Sequence, residues 1–190
     1  MPAATLAHAA LAIETKTNLV IGTTGMTAAD DAAIAQAAEK IAIMREGNMS
    51  LGVNVLAQLT KQMARMLDDD FDIEVVEMHH RYKVDAPSGT ALILGRAAAI
   101  GRGVDHDAVA IGGRYGITGE RRKGDIGYAS LRGGNVAGEH TIVFAADDER
   151  LELTHKATDR AIFARGGVRA ARWLADKEPG LYGMADVLGL

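Results

Sequence analysis

Glu77, His79, His80, Lys83 and Asp85 crowd ionisable groups into one short stretch, Glu77-Met78-His79-His80-Arg81-Tyr82-Lys83-Val84-Asp85-Ala86-Pro87-Ser88-Gly89-Thr90. Imidazole titrates near neutral pH and lysine stays charged, so this stretch can supply proton donors and acceptors beside a cation. Side chains alternate along extended backbone, so neighbouring histidines at a strand end face opposite ways and do separate jobs. One can face a cavity as acid, base or hydrogen-bond donor while the other meets a second part of a ligand. Pro87 and Ser88 then announce a helix: Ser88 is a favourable N-cap, and Gly89 and Thr90 present backbone N–H groups at the positive helix end, a ready anion site. The grouping reads as a pocket for a small carboxylate with a proton donor beside it. Taken singly, each residue fits a solvated surface loop better than it fits a site.

Two elements must hold this loop. Phe71 to Glu77 has the pattern of a strand and Thr90 to Ala99 that of a helix, which places the ionisable groups between rigid supports. From Glu77 to Ala91 the string meets every fixed position of the pattern E-x-H-H-x-x-K-x-D-x-P-S-G-T-A. It thereby resembles the signature of the 4-hydroxy-tetrahydrodipicolinate reductase (dihydrodipicolinate reductase) family, nicotinamide-dependent enzymes of lysine biosynthesis by way of diaminopimelate. The resemblance implies that Lys83 is the proton donor, with His79 its catalytic partner. His80 would bind substrate, and Gly89 and Thr90 would hold a substrate carboxylate.

Composition bounds the rest. In 190 residues, 48% hydrophobic and 24% charged content with a net charge of −4 describe an ordinary globular chain. The acidic balance argues against nucleic acid as a partner. With no cysteine, thiolate catalysis, disulfides and Cys-based zinc sites are excluded. No stretch approaches the roughly 18 apolar residues of a membrane span, and the N-terminus lacks a signal-peptide pattern, so no membrane is expected and the cytoplasm is the expected compartment. Adjacent histidines that diverge, with no H-E-x-x-H, leave no metal site.

Along the chain, Pro2 to Glu14 is an Ala-rich helical pattern, and Asn18 to Ile21 a short strand ending in Gly22-Thr23-Thr24-Gly25. A helix opens at the N-cap Thr27, and Ile41 to Met44 is a second strand running into Arg45-Glu46-Gly47-Asn48-Met49-Ser50. Ligands of open parallel sheets lie beyond the strands' carboxyl ends, so these two loops form the lips of a crevice. The family's G-T-T-G and N-[FM]-S segments occur in this order. By that resemblance Gly22, Thr23, Thr24, Glu46, Gly47, Asn48 and Met49 contact the nicotinamide half of NADPH or NADH. Ser50 to Leu67 is a helix with Val53, Leu56, Leu59, Met63 and Met66 on its apolar face, and Asp68-Asp69-Asp70 is a solvated acidic run. Strands are expected at Ala108–Gly112, Asp125–Arg132, Glu139–Ala145 and Arg150–His155, joined by turns at Gly133-Gly134-Asn135 and Asp147-Asp148. His140 and His155 read as structural residues of these strands. Arg160 to Ala175 is a last amphipathic helix, with Ile162, Phe163, Val168, Ala171, Trp173 and Leu174 available for burial.

The fold class implied is α/β (α+β): a partial Rossmann-like parallel sheet from residues 1–50 and 160–190, and a mixed-sheet substrate-binding and oligomerisation domain from 51–159. The family also implies a homotetramer built through that sheet. A complete reductase of this kind opens with a strand, a G-x-x-G-x-x-G loop and a helix, and carries a selector between NADH and NADPH after its second strand. Neither is found here, so the adenosine and pyrophosphate site is expected to be missing from a truncated chain. Two functions follow: hydride transfer from NAD(P)H to a cyclic imine dicarboxylate, or a non-catalytic dicarboxylate-binding or assembly module.

Overall fold

A computed structural model describes all 190 residues. In chain order the elements are α1 (Pro2–Thr15), β1 (Leu19–Ile21), α2 (Ala28–Ala38), β2 (Ala42–Arg45), α3 (Leu51–Met66), β3 (Asp72–His79), α4 (Gly89–Arg102) and α5 (His106–Val109). They continue as β4 (Ala110–Ile111), β5 (Ile126–Arg132), β6 (Gly138–Ala145), β7 (Arg150–Ala157), α6 (Ala161–Leu174), β8 (Gly180–Tyr182) and α7 (Met184–Leu188). They form two compact units, Met1–Asn54 with Ala161–Leu190, and Val55–Arg160.

The first unit is a parallel sheet of order β1-β2-β8. Strand β2 is central and buried on both faces, as its apolar Ala-Ile-Met run requires. Alternation divides it: Ile43 packs with Ala9, Ala12, Ile34 and Ala37 of α1 and α2, whereas Ala42 and Met44 pack with Ala170, Leu174, Met184 and Val187 of α6 and α7. Helix α2 starts where the sequence places it, because Thr27 Oγ1 accepts from Asp30 N and Asp30 Oδ2 accepts from Thr27 N, a reciprocal cap. Two details differ from expectation. Gly180–Tyr182 is a strand, too short for periodicity to announce. On α6 the buried positions are Gly166, Ala170 and Leu174, while Val168 and Ala171 face solvent. Small residues win there because α6 lies so close to the chain that a Cβ on Gly166 would fall on the Met49 carbonyl oxygen.

The second unit is a mixed sheet of order β4-β5-β3-β6-β7, in which β3 runs parallel to β5 and antiparallel to β6. Strand β3 alternates strictly between half-buried and buried residues. Its buried side carries Ile73 and Val75, which join Ile126, Tyr128, Ile142 and Phe144 in a core shared with Leu56 and Ala64 of α3 and with Ala91, Leu94 and Ala98 of α4. Leu59 and Met66, expected on the apolar face of α3, are exposed, and Thr60 and Ala64 take the buried stripe. Gly133-Gly134-Asn135 does not make a hairpin. Strand β3 lies between β5 and β6, so the connection crosses the end of β3. There Gly133 N donates to His79 O at 3.0 Å and His80 N to Val136 O at 2.8 Å. The β6–β7 connection through Asp147 and Asp148 is a hairpin as expected. The acidic run is exposed but not merely solvated, since Asp69 pairs with Arg102 and Asp70 with Lys123.

Candidate active site

The buried face of the mixed sheet changes character along its strands. A row across the sheet at Tyr128, Val75, Ile142 and Leu153 is apolar save for one hydroxyl. The next row on that face is Ser130, Glu77, His140 and His155. Beyond it His79 stands beside Arg132. The strand extends two residues further than the sequence pattern indicates, to His79, so this histidine sits on a sheet rather than in the loop. The period of two puts it on the same face as Glu77.

Glu77 is 1% exposed and accepts hydrogen bonds on both oxygens. Oε1 receives Arg132 Nη2 at 2.8 Å and Ser88 N at 3.2 Å. Oε2 receives Arg132 Nη1 at 2.8 Å and lies 2.6 Å from His79 Nδ1. Burial by itself would raise the Glu77 pKa, but the bonds from Arg132, His79 and Ser130 outweigh it and hold the group at about 2, an anion. Arg132 also donates to the Asp85 carbonyl at 2.6 Å, which ties the loop after His80 back to the sheet.

Ser88 caps α4 as expected. Its hydroxyl accepts from Ala91 N at 3.2 Å and lies 3.0 Å from His140 Nε2. Gly89 and Thr90 form the first turn of that helix, behind a cis Ala86–Pro87 peptide. His140, read from sequence as structural, is brought into this group: its ring stands edge-on to His79 with centroids 5.0 Å apart. Burial pushes its pKa down to about 4, so it is neutral at ordinary pH. Its alternation with the buried Ile142 and Phe144 is the sequence signal that could have placed it inward. Arg132 left a signal too, as the last strand residue before a glycine pair.

Lys83 donates to Asp85 Oδ1 at 2.8 Å, and this bond keeps the Asp85 carboxyl below its ordinary range. His79 and Lys83 thus have separate partners, Glu77 and Asp85. His80 follows the strand, and its buried Nδ1 has no protein partner.

In the other unit, the loops after β1 and β2 lie side by side. A Cβ on Gly47 would sit 3.8 Å from Thr24 Cγ2, and one on Gly22 3.6 Å from Met49 Cε. Most polar side chains here are already bonded within the unit. Thr23 Oγ1 bonds Thr5 at 2.8 Å, Glu46 accepts from Gly47 N and Met184 N, and Asn48 Oδ1 accepts from Ser50 N. Backbone groups and small side chains are what these loops present. A phosphate does not fit the start of α2, because the Asp30 carboxylate holds that position, its pKa lowered by the bonds from Thr27.

No helix is long and apolar enough to cross a membrane, and no cluster of candidate ligands could hold a metal ion.

Comparison with known proteins agrees along the whole chain. Residues 1–49 match the family described as dihydrodipicolinate reductase, N-terminus, and residues 52–188 that described as dihydrodipicolinate reductase, C-terminus. All 190 residues align with the 4-hydroxy-tetrahydrodipicolinate reductase of Rhodopseudomonas palustris strain BisA53 at 61% identity, and with that of Parvibaculum lavamentivorans strain DS-1 at 60%. The chain spans 70% of the length of each. Among solved structures, the dipicolinate-bound dihydrodipicolinate reductase from Paenisporosarcina sp. TG-14 superposes with a TM-score of 0.77 over 98% of this chain and 70% of that one. At 24% identity this is a likeness of fold. With its signature carried at the end of β3 and both family segments matched in order, the chain belongs to the dihydrodipicolinate reductase family.

Proposed function

We propose that this chain has the family's activity: NAD(P)H-dependent reduction of 4-hydroxy-tetrahydrodipicolinate to tetrahydrodipicolinate, in lysine and diaminopimelate biosynthesis in the cytoplasm. The observation that carries it is the end of β3, where a buried histidine bonded to a carboxylate, a lysine and a capped helix start share one short segment. The relatives' printed activity, and the dipicolinate bound in the solved neighbour, supply the substrate class, a small cyclic dicarboxylate.

In this reading the unit Val55–Arg160 binds substrate. Lys83, whose side chain is paired with Asp85, gives the proton. His79 is its partner in handling protons, and His80 binds the substrate. The first turn of α4 at Gly89 and Thr90 receives a carboxylate at the positive helix end. A bound nicotinamide supplies the hydride. Gly22, Thr23, Thr24, Glu46, Gly47, Asn48 and Met49 hold that ring in the unit Met1–Asn54 with Ala161–Leu190, chiefly through backbone groups. The sheet face opposite α3 and α4 carries Val76, Met78, Thr141 and Val143 only half buried and Leu131 51% exposed, which suits a symmetric homo-oligomer, a tetramer in this reading.

A second reading has its own observation. Asp30 closes the start of α2 to phosphate, so the polypeptide would bind a dicarboxylate without turning it over. Turnover with NADH and NADPH, by this chain and by a chimera carrying the upstream part of the Rhodopseudomonas palustris relative, separates the two. Pyridine-2,6-dicarboxylate binding with no turnover by either protein selects the second.

A further inference from the structure

Glu77 is the point on which the buried polar groups of the mixed sheet converge, and its own chemistry constrains theirs. As a carboxylate it can only accept hydrogen bonds. Arg132 Nη2 and Ser88 N reach Oε1, Arg132 Nη1 and the His79 ring reach Oε2, and the Ser130 side chain donates to the same carboxylate. The ring nitrogen in that contact is Nδ1, at 2.6 Å, so Nδ1 must carry a hydrogen.

The geometry points to Glu77 as a positioning residue that, clamped by Arg132 and the Ser88 backbone, holds His79 in the Nδ1–H tautomer and leaves Nε2 as the ring atom that can exchange a proton. Its catalytic meaning rests on the reductase reading above, but the tautomer is a property of the folded chain. The hydrogen-bond partner of one ring nitrogen commonly sets a histidine's tautomer in this way. Here the clamp is strong because a bidentate arginine fixes the carboxylate plane and leaves it no rotation. The anionic state at a pKa of about 2 persists across the working pH range. The remaining neighbours are consistent with a bare Nε2. A Cβ at Gly138 would lie 3.1 Å from Nε2, so the ring is seated against a residue without a side chain. His140, edge-on at 5.0 Å, is neutral, and Lys83 is occupied by Asp85. Glu77, Arg132, His140 and Lys83 are the titratable or charged groups that bear on this ring.

Glu77→Gln turns the inference into a measurement. The amide keeps the shape but makes one oxygen position an NH2 donor. At the Oε1 position that donor would face two fixed donors, Ser88 N and Arg132 Nη2. At the Oε2 position it faces Arg132 Nη1 and His79, and the imidazole can relieve its side by becoming an acceptor at Nδ1. The variant therefore moves His79 to the Nε2–H tautomer.

The readout is nitrogen-15 NMR of the imidazoles in the ligand-free 190-residue chain at alkaline pH. In the unsubstituted chain His79 shows a protonated Nδ1 and a bare Nε2, and in Glu77→Gln the two exchange identities. A bare Nδ1 in the unsubstituted chain overturns the inference, as does an unchanged Nδ1–H in the variant. If the variant does not fold, the unsubstituted chain alone decides. Because no substrate is involved, failed turnover with the expected tautomers counts against the reductase reading and not against this one.

Discussion

The backbone N–H of Ser88 donates to Glu77 Oε1 across 3.2 Å, so the start of α4 is tied to the buried carboxylate of β3. The Ser88 side chain adds two further ties, to Ala91 N and to His140 Nε2. Ser88→Ala removes both but keeps the backbone bond. Loss of an N-cap costs about 1 kcal/mol. Leaving the buried His140 nitrogen unpaired adds about 1 to 3 kcal/mol. A destabilisation of roughly 2 kcal/mol or more is expected as a lowered urea midpoint at unchanged slope, and a change within about 0.5 kcal/mol would show that these bonds are matched by water in the unfolded chain.

Acid should unfold the mixed-sheet unit in two stages. His140 has a folded pKa near 4 against an ordinary 6.5. The unfolded chain therefore takes up the proton first, and stability falls as pH drops from 6.5 to 4. Glu77 has a folded pKa near 2 against 4.5, so its contribution is complete above 4.5 and disappears as pH drops from 4.5 toward 2. At 1.36 kcal/mol per unit each group accounts for roughly 3 kcal/mol. His155, whose pKa burial also lowers, acts in the same direction as His140. Denaturation free energy measured from pH 7 downward should decline through both windows, and His140→Asn should flatten the upper one. Equal slopes for the two proteins between pH 6.5 and 4 would remove His140 as the cause.

What the sequence disclosed and what it withheld have separate physical origins. The local signals were strong where one residue type solves one local problem: the Thr27 and Ser88 caps, the alternation of β3, and the signature loop itself. Relationships across strands left weaker traces. Nothing local tells that β5 pairs with β3 instead of β6, so Gly133 and Gly134 read as a hairpin when they cross over His79. For the same reason Arg132 and His140 could not be joined to Glu77, because their meeting is a matter of register between distant segments. On α6 the apolar pattern pointed to Val168, but close approach to Met49 favoured Gly166 and Ala170, a preference set by space and not by hydrophobicity.

The open sheet face should mediate self-association. Light scattering at micromolar concentration is expected to show a species well above the 20.0 kDa of one chain. Placing a charge on that face with Val76→Glu, in the row Ala129, Val76, Thr141 and Thr154 that carries no charged side chain, should dissociate it, since a carboxylate buried in an interface there has no partner in its row. A single 20.0 kDa species before substitution would contradict the proposed oligomer.

Lys83→Ala, in the chimera described above, should lower kcat by about two orders of magnitude or more, the range for a positioned proton donor. Pyridine-2,6-dicarboxylate binding should change less. Asp85→Ala is the control, because it removes the ion pair at 2.8 Å but leaves the ammonium in place. Equal losses in the two variants would point to a collapsed loop rather than to proton transfer.

The 190-residue chain should bind nicotinamide cofactors weakly while keeping its dicarboxylate site. The loops at Gly22–Thr24 and Glu46–Met49 have most of their polar side chains committed internally, so a bound dinucleotide would gain mainly backbone contacts there. The pyrophosphate gains nothing from α2, whose N-terminus is held by the Asp30 carboxylate at 2.8 Å from Thr27 N. Each charge-assisted phosphate contact forgone is worth about 1.5 to 3 kcal/mol, and every 1.4 kcal/mol is tenfold in Kd. Several such losses take the affinity down by orders of magnitude. Ser88, Gly89, Thr90 and His80 lie in the other unit, within one segment whose anchors, Glu77 and Arg132, are all present. Calorimetric titration of this chain with NADPH and with pyridine-2,6-dicarboxylate should therefore show heat for the second ligand and little for the first. Micromolar NADPH binding would refute the account, and would mean that a phosphate site exists elsewhere in the chain or its oligomer.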